Sequence, residues 1–455
     1  MPSFEQLQRK SVFKKAISLT PPQLLVLGFA LTILTGAVVL TLPGCSAGGE
    51  YTDFITALFT STSAVCVTGL VVVDTGTYWS PVGQLVILLL IQIGGLGFMT
   101  MATFFNMLMG KKIGLRNRLI LQESLNQNSL QGVVRLSKYV LIITFLLELF
   151  FAVILAVRLG ADLGYPRALW FGIFHSISAF NNAGFDIFGN FSSITGYVND
   201  TVVTMSVATL IILGGIGFGV IIDILNYRHR KMLFTHTKLV LWTSGILIAV
   251  GAVFIYFFEM DNTLKGLTPW GKCLASFFQS VTPRTAGFNT IDISHLHSYT
   301  LFFIIILMFI GASPGSTGGG IKTSTFALLG LSVLSLTRGK SNTQLFKRTI
   351  TQDQVIKALA VLLLAILLIV VVSIALMAVE REENFLLVLF ETVSAFGTVG
   401  LSMGLTPELS PAGRLLIIMT MFLGRVGTIT AVFALTQRTK RREKIKYPED
   451  KVMVG

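Results

Sequence analysis

Long apolar runs recur along the chain, at 22–43, 82–109, 139–157, 201–222, 239–258, 299–312, 355–379 and 415–435. A helix needs about 20 residues to cross the hydrocarbon core of a bilayer, and all runs but 299–312 approach or exceed that length. That one continues past a glycine-rich break. With 53% hydrophobic and 13% charged residues, the chain could not hide so much apolar surface in a water-soluble core. It reads as an all-α polytopic membrane protein.

Charge orients it. Most of the 35 Lys and Arg fall in clusters at 9–15, 111–118, 135–138, 228–238, 338–357 and 438–451. The opposite ends carry mainly acids, such as Glu50, Asp53, Asp74, Asp186, Asp200, Asp292 and Glu382. The positive-inside rule places the basic clusters, and with them both termini, in the cytoplasm. The net charge of +13 requires no nucleic-acid partner, because insertion topology and contact with anionic membrane lipid account for it. A lipoprotein-type leader ending at "L-P-G-C" (42–45) is set aside, since the apolar stretch is too long and Pro43 is an unusual occupant. Cys45, Cys66 and Cys273 show no metal spacing and leave one unpaired.

One eight-residue pattern is written four times. "S-A-V-C-V-T-G-L" at 63–70 returns as "S-A-F-N-N-A-G-F" at 178–185, "V-T-P-R-T-A-G-F" at 281–288 and "S-A-F-G-T-V-G-L" at 394–401. Self-similarity of this kind marks a repeat architecture. Before each motif lies a segment of about 12 residues (53–65, 168–180, 270–282, 385–396), short for a crossing and suited to a re-entrant helix. After each comes a long apolar stretch with a glycine 24–30 residues beyond the motif glycine: Gly94, Gly214, Gly311 and Gly424. The plan is helix–pore loop–helix four times around a pseudo-fourfold central pore, with eight crossings. The units span 22–109, 134–227, 238–337 and 352–436. Loops 110–133, 228–237 and 338–351 join them, and segments 1–21 and 437–455 flank them, all on the cytoplasmic side.

Irregular backbone survives at membrane depth only when buried in protein or lining a watery cavity. Four such loops about one axis would ring it with carbonyl oxygens, which replace the hydration shell of a cation in a selectivity filter. Glycine reaches φ > 0 cheaply, and each short helix aims the negative end of its dipole at the axis. The filter positions are then Gly69, Gly184, Gly287 and Gly400. Val67 and Thr68, Asn182 and Ala183, Thr285 and Ala286, and Thr398 and Val399 flank them. For "G-G-L-G-F" (94–98) and "G-G-I-G-F" (214–218) the expected role is helix packing.

These motifs, together with "T-P-R-T-A-G-F", the glycine-rich stretch 311–320 and "F-L-G-R-V-G", resemble the Trk/Ktr/HKT superfamily over residues 20–446. Within it they look most like the membrane subunits of Ktr potassium-uptake systems. The resemblance implies K⁺ as substrate at the filter carbonyls, Na⁺ as an activator at no site legible here, and residence in the bacterial inner (plasma) membrane. It also implies a homodimer and a separate cytosolic ring of RCK-type nucleotide-binding subunits sensitive to ATP and ADP. Some plant relatives carry serine at the first filter position and favour Na⁺; here all four are glycine.

No nucleotide fingerprint occurs in this chain. "G-A-S-P-G-S-T-G-G-G-I-K-T-S" at 311–324 approaches a P-loop, but Ile321 separates Gly320 from Lys322 and the preceding run is membrane-spanning in character. Its glycines and proline break the third unit's second helix. Gly311, Ala312, Ser313, Pro314 and Gly315, then Ser316, Thr317, Gly318, Gly319 and Gly320, would form a movable obstruction beneath the filter. The resemblance implies that gating role. Lys322 either joins it or snorkels to the interface. Arg425 lies among apolar residues, a placement that costs several kcal/mol unless it faces a cavity or partner. In a cation path it is an electrostatic barrier, and the resemblance sets it against the gating loop.

Other candidates are subsidiary. Arg284 is expected to anchor the third motif to a carboxylate, with Glu391 as candidate. Glu148 is a buried anchor or an ion ligand, and Asn181 and Asn182 are expected to bond behind the second filter segment. His295 and His297 have metal-like spacing, but two ligands do not make a site. A secondary symporter moving K⁺ with Na⁺ or H⁺ by alternating access is the alternative. It requires a mid-membrane acid that changes partners, and Glu148 is the conspicuous one. An enzyme is not indicated, for the apolar body carries no paired carboxylates or nucleophile–base set.

Overall fold

A computed structural model describes residues 20–97, 113–124, 132–340, 342–380 and 384–427, with scattered positions between 100 and 109. The segment 1–19, parts of the 110–133 loop (110–112 and 125–131), the last part of the fourth unit and the tail 437–455 lie outside the described residues. The first unit contains α1 (Pro21–Leu40), the short α2 (Phe54–Cys66) and α3 (Pro81–Leu96), and α4 (Leu115–Ser124) follows it. The second contains α5 (Val133–Leu163), α6 (Tyr165–Phe180), α7 (Thr201–Gly215) and α8 (Phe218–Leu225). The third contains α9 (Thr235–Glu259), α10 (Pro269–Val281), α11 (Ser298–Phe309) and α12 (Thr323–Thr337). A small hairpin of β1 (Gln344–Leu345) and β2 (Arg348–Thr349) leads to the fourth, made of α13 (Gln352–Val379), α14 (Phe385–Gly397) and α15 (Pro411–Val426).

The first helix of each unit, α1, α5, α9 and α13, is long and apolar enough to cross a membrane unbroken. Three of the four short helices start on side-chain caps, and α6 starts at Gly164 without one. Asp53 accepts from Thr56 N at 3.1 Å, Thr268 from Gly271 N at 3.0 Å and Asn384 from Leu386 N at 2.9 Å. A Ser–Pro pair opens both α3 (Ser80, Pro81) and α15 (Ser410, Pro411), the hydroxyl capping and the proline fixing the first helical φ.

Three short helices also end alike. Val67, Asn182 and Thr398 take left-handed φ values of 58°, 58° and 49°, and their N–H groups donate to Ala64, Ala179 and Ala395. The next N–H groups, of Thr68, Ala183 and Val399, donate at 2.8 Å to Ser63, Ser178 and Ser394. This paired closure is a Schellman cap, at whose left-handed position glycine is usual. In α10, Pro283 has no N–H to give, and the closure shifts: Ala286 N donates to Thr282 O at 3.0 Å and Thr285 is left-handed, with φ 70°.

The units close into a ring. α3 packs on α6 of the second unit, α7 on α10 of the third, α11 on α14 of the fourth, and α15 returns to α2 of the first. Gly94, Gly214 and Gly424 let each second helix lie on the C-terminal carbonyl of its own short helix, at Val65, Phe180 and Phe396. Of the stretches expected to pack, 94–98 and 214–218, the structure gives this role to Gly94 and Gly214.

The second helices are not the unbroken runs that 82–109, 201–222 and 415–435 suggested. They stop at Gly97 (φ 80°, ψ 134°), Gly217 (φ 94°, ψ 137°) and Gly427 (φ 88°, ψ 132°), one conformation that glycine alone adopts without strain. After Gly217 the chain turns by 98° into α8. The glycine-rich break of the third unit thus has counterparts at Gly97, Gly217 and Gly427. Gly424→Ala would place a Cβ 2.9 Å from the Phe396 carbonyl carbon, whereas Gly330→Ala meets nothing within 4 Å. We expect the former to lose about 1–3 kcal/mol of stability and the latter to match the parent protein, read from thermal unfolding in detergent.

Candidate functional site

The four motif segments meet at the centre of the ring. Gly69, Gly184, Gly287 and Gly400 have φ of 92°, 69°, 81° and 91°, each two residues after a left-handed Val67, Asn182, Thr285 or Thr398. Left-handed residues at alternate positions turn successive carbonyls toward one side, whereas a strand alternates between two. A Cβ on Gly69 would lie 2.5 Å from Ala183 O, one on Gly184 2.7 Å from Ala286 O, and one on Gly287 2.7 Å from Val399 O. On Gly400 it would strike Thr68 O, which returns the series to the first unit. Four glycines and four carbonyls therefore interleave in a closed circle.

Hydroxyl groups hold each segment to its short helix. Ser63 Oγ accepts from Gly69 N at 3.0 Å and Ser394 Oγ from Gly400 N at 3.2 Å, while Ser178 Oγ donates to Phe185 O at 2.7 Å. The third motif has Val281 at the corresponding place, and Thr282 Oγ1 donates instead to Phe288 O at 2.5 Å. The opening serine of the repeated pattern is thus a tie for the backbone that follows it.

A cavity of about 310 Å³ stands over the ring, lined by the four motif glycines and by Asp74, Asp186 and Asp292 of the connecting loops. Carboxylates at the mouth of a low-dielectric cleft draw cations toward it. Burial pushes the Asp186 carboxyl up to about 7, and neighbouring Asp74 adds to the effect, so the charge of this vestibule changes around neutral pH.

The glycine-rich stretch crosses directly beneath. Gly318, Gly319 and Gly320 abut Thr285, Thr398 and Gly397; a Cβ on Gly318 or Gly319 would collide with the lower edge of the ring, and one on Gly320 would lie 3.3 Å from Gly397. Thr317 Oγ1 donates to Asn182 Oδ1 at 3.1 Å and Phe180 O at 3.3 Å. Most of its anchorage is to the second unit. Ser313 N donates to Gly215 O at 2.9 Å, Thr317 N to Gly214 O at 3.2 Å, and Phe218 N returns a bond to Gly315 O at 2.9 Å. A helix end leaves carbonyls without partners, and a helix start leaves N–H groups. The break between α7 and α8 has both, and the loop satisfies them.

Arg425 joins three units. Its guanidinium donates to Thr317 O in the loop and to Gly94 O in α3, with Gly95 O at 3.4 Å. Lys322 Nζ donates to Gly318 O at 2.7 Å and Gly319 O at 3.4 Å. It is part of the loop and does not reach for the interface.

The expected pairing of Arg284 with Glu391 is absent. Arg284 bonds Ser244 on α9, through Oγ at 2.9 Å and the carbonyl at 3.4 Å. Glu391 accepts from Ser402 Oγ at 2.9 Å and from Thr406 Oγ1, pinning the outgoing end of the fourth segment. Both side chains are buried and each bonds hydroxyl or carbonyl groups of its own unit, although Arg284 Nε is left without a partner. Glu148 accepts from Gln92 and Asn181 and does not line the cavity. His295 bonds Asp292 at 2.9 Å, and no metal-holding cluster exists among the described residues. Three of the four left-handed positions ahead of the glycines, Val67, Thr285 and Thr398, escaped sequence reading because Val and Thr advertise strand, not φ > 0. Their only signal is equal spacing from four glycines.

The TrkH model, described as a cation transport protein, matches residues 32–443. The chain is 45% identical to the Ktr system potassium uptake protein B of Bacillus subtilis (strain 168), over 99% of this chain and 100% of that one. It is 40% identical to the potassium/sodium uptake protein NtpJ of Enterococcus hirae, over 99% of this chain and 100% of that protein. The crystal structure of the potassium transporter TrkH from Vibrio parahaemolyticus has the same fold, with TM-score 0.71 at 18% identity over 93% of this chain and 86% of that one.

Gly217→Ala would force an L-residue to φ 94° and set its Cβ 2.7 Å from Pro314 O. The loop should then lose its dock on the second unit. Hydrogen exchange at Ser313 and Thr317 is expected to speed up about tenfold or more, while exchange within α5 stays unchanged.

Proposed function

The chain belongs to the TrkH family of cation transport proteins, and on that premise we propose that it carries potassium ions into the cell. The observation that carries this reading is the closed circle of motif glycines and carbonyls beneath a single acid-lined cavity. The relatives named for potassium uptake and for potassium/sodium uptake support the choice of ion, and the second name suits a role for Na⁺.

In this reading an ion enters the vestibule, exchanges water for ring carbonyls and halts at the loop. Glycine at all four positions lets the carbonyls approach a common centre, and the C-terminal dipoles of α2, α6, α10 and α14 add negative potential there. The loop is the gate. Arg425 acts twice, as a charge that repels the ion and as the clasp that ties the loop to α3. Opening requires the loop to leave the α7–α8 break, which exposes Gly214 and Gly215 carbonyls unless α8 moves with it.

The protein sits in the plasma membrane with both termini and the basic segments inside, as a homodimer on a cytosolic ring of RCK-type ATP- and ADP-sensing subunits. Basic segments 111–118, 228–238, 338–350 and 438–446 are the docking surface for that ring. Alternating access finds less support. Its one candidate acid, Glu148, is held by Gln92 at 3.1 Å and Asn181 at 3.0 Å and takes no part in the cavity wall.

The test is potassium and sodium flux into proteoliposomes containing the full chain. Gly287→Ser and Gly69→Ser each put a side chain into the carbonyl circle and should lower the K⁺/Na⁺ flux ratio about tenfold, equivalent to ~1.4 kcal/mol of lost discrimination. An undiminished ratio in both refutes the filter. Arg425→Ala should raise K⁺ flux several-fold, and an equal or lower rate at matched protein content removes the barrier and clasp.

A further inference from the structure

We propose that Glu148 is a positioning residue for ion selection: its carboxyl group holds the shoulder of the second motif segment in register with the carbonyl circle. The proposal deepens the filter reading and rests on it. Glu148 lies near the middle of α5, outside the cavity wall, and is 4% exposed. Its Oε1 accepts from Asn181 Nδ2 at 3.0 Å and its Oε2 from Gln92 Nε2 at 3.1 Å. Asn181 Nδ2 also donates to Gln92 Oε1 at 2.9 Å, so three side chains from α5, α3 and the end of α6 close a triangle.

Asn181 is the residue that this triangle fixes. It is the last right-handed residue before the chain enters the left-handed Asn182 and the motif glycine Gly184. It is also wedged, since a Cβ on Gly95 would lie 2.8 Å from Asn181 Cβ. An error in the angle at Asn181 would carry directly into Asn182 and Ala183. Those residues supply the side chain against Thr285 and the carbonyl against Gly69.

An apolar residue would fill the same space on α5 without the desolvation cost of a buried carboxyl group. Directional hydrogen bonds in a low-dielectric interior fix the angle of a side chain more sharply than such packing; Asn181 Nδ2 also lies 2.9 Å from Ile177 O, and its Oδ1 is buried without a partner, so the carboxyl group and Gln92 are what hold the amide across the helices. The triangle also shares one turn of α3 with the gate, for Gly94 and Gly95, whose carbonyls receive Arg425, lie two and three residues after Gln92. Other units solve the same problem differently. The residue three before the motif glycine is Cys66, Arg284 or Gly397, and Arg284 ties its segment to α9 through Ser244.

The experiment measures K⁺ and Na⁺ flux with the full chain in proteoliposomes, using only monodisperse protein. The flux ratio is internal to each sample and independent of the active fraction. Glu148→Gln keeps the shape but turns one acceptor into a donor facing a donor, and Glu148→Leu removes both acceptors. Each is expected to lower the K⁺/Na⁺ ratio about tenfold while Na⁺ flux persists. Ser176→Ala removes a different bond between the same helices, to the Glu148 backbone carbonyl at 2.6 Å, and should leave the ratio unchanged. Gly287→Ser is the reference for the circle itself. If it lowers the ratio while Glu148→Gln does not, Glu148 has no such role; the same holds if Ser176→Ala matches Glu148→Gln. If Gly287→Ser leaves the ratio intact, the filter reading falls and this one with it.

Discussion

Backbone lies on backbone at the centre of this protein, and the rest is arranged to keep it there. Carbonyl groups of adjacent segments come close enough to the motif glycines that no Cβ fits at any of the four. Crowded carbonyl dipoles repel one another, and left-handed Val67, Thr285 and Thr398 add roughly 1–2 kcal/mol of strain each. Such a centre persists only when its surroundings over-determine it. Schellman caps set where each segment leaves its helix, serine and threonine hydroxyls tie the backbone beyond, and each second helix braces the next unit's short helix. A cation relieves the repulsion that these supports contain, which is the physical sense of the proposed filter.

Closure beneath the ring follows from a different rule, the need of buried helix ends for partners. The 98° bend after Gly217 opens a gap in the hydrogen-bond ladder of the second unit. Ser313, Gly315 and Thr317 fill it from the third unit, and Arg425 reaches in from the fourth to clasp Thr317 to Gly94 of the first. Every unit touches the loop or its clasp. A displacement at the basic ends of the helices therefore has several routes to it, and α8 is the shortest, because its first N–H is bonded to Gly315.

Much of this plan was legible in the residues. Helical membrane architecture follows from run length, and the glycine motifs with their 24–30-residue offsets located the segments that converge. The breaks at Gly97, Gly217 and Gly427 were not, because "G-G-L-G-F" reads equally as packing surface and as hinge, and sequence does not say which glycine does which. Gly94 and Gly214 pack; Gly97 and Gly217 bend. Arg284 and Glu391 were matched by charge alone. Each instead found neutral hydrogen-bond partners nearby, which lower the cost of burying it without an opposite charge. For Lys322 the residues left two places open, the loop and the interface, and in the structure loop carbonyls hold it.

The ring is fourfold, but its supports are not. Three units end their short helices in one way and the third in another, because of Pro283. The loop belongs to the third unit, its dock to the second and its clasp to the fourth. A symmetric gate would have to move four elements together, and each would disturb a carbonyl position that must hold to within tenths of an ångström. In the proposed gate, concentrating the movable part in one loop, anchored on neighbouring units by backbone bonds, would let the obstruction leave while the caps and ties above it stay made. Departure from the repeat is therefore informative in its own right. Where a residue differs from its three counterparts, as Arg425 and Asn181 do, the difference marks what the ring does not share: how it is shut, and how one segment is held.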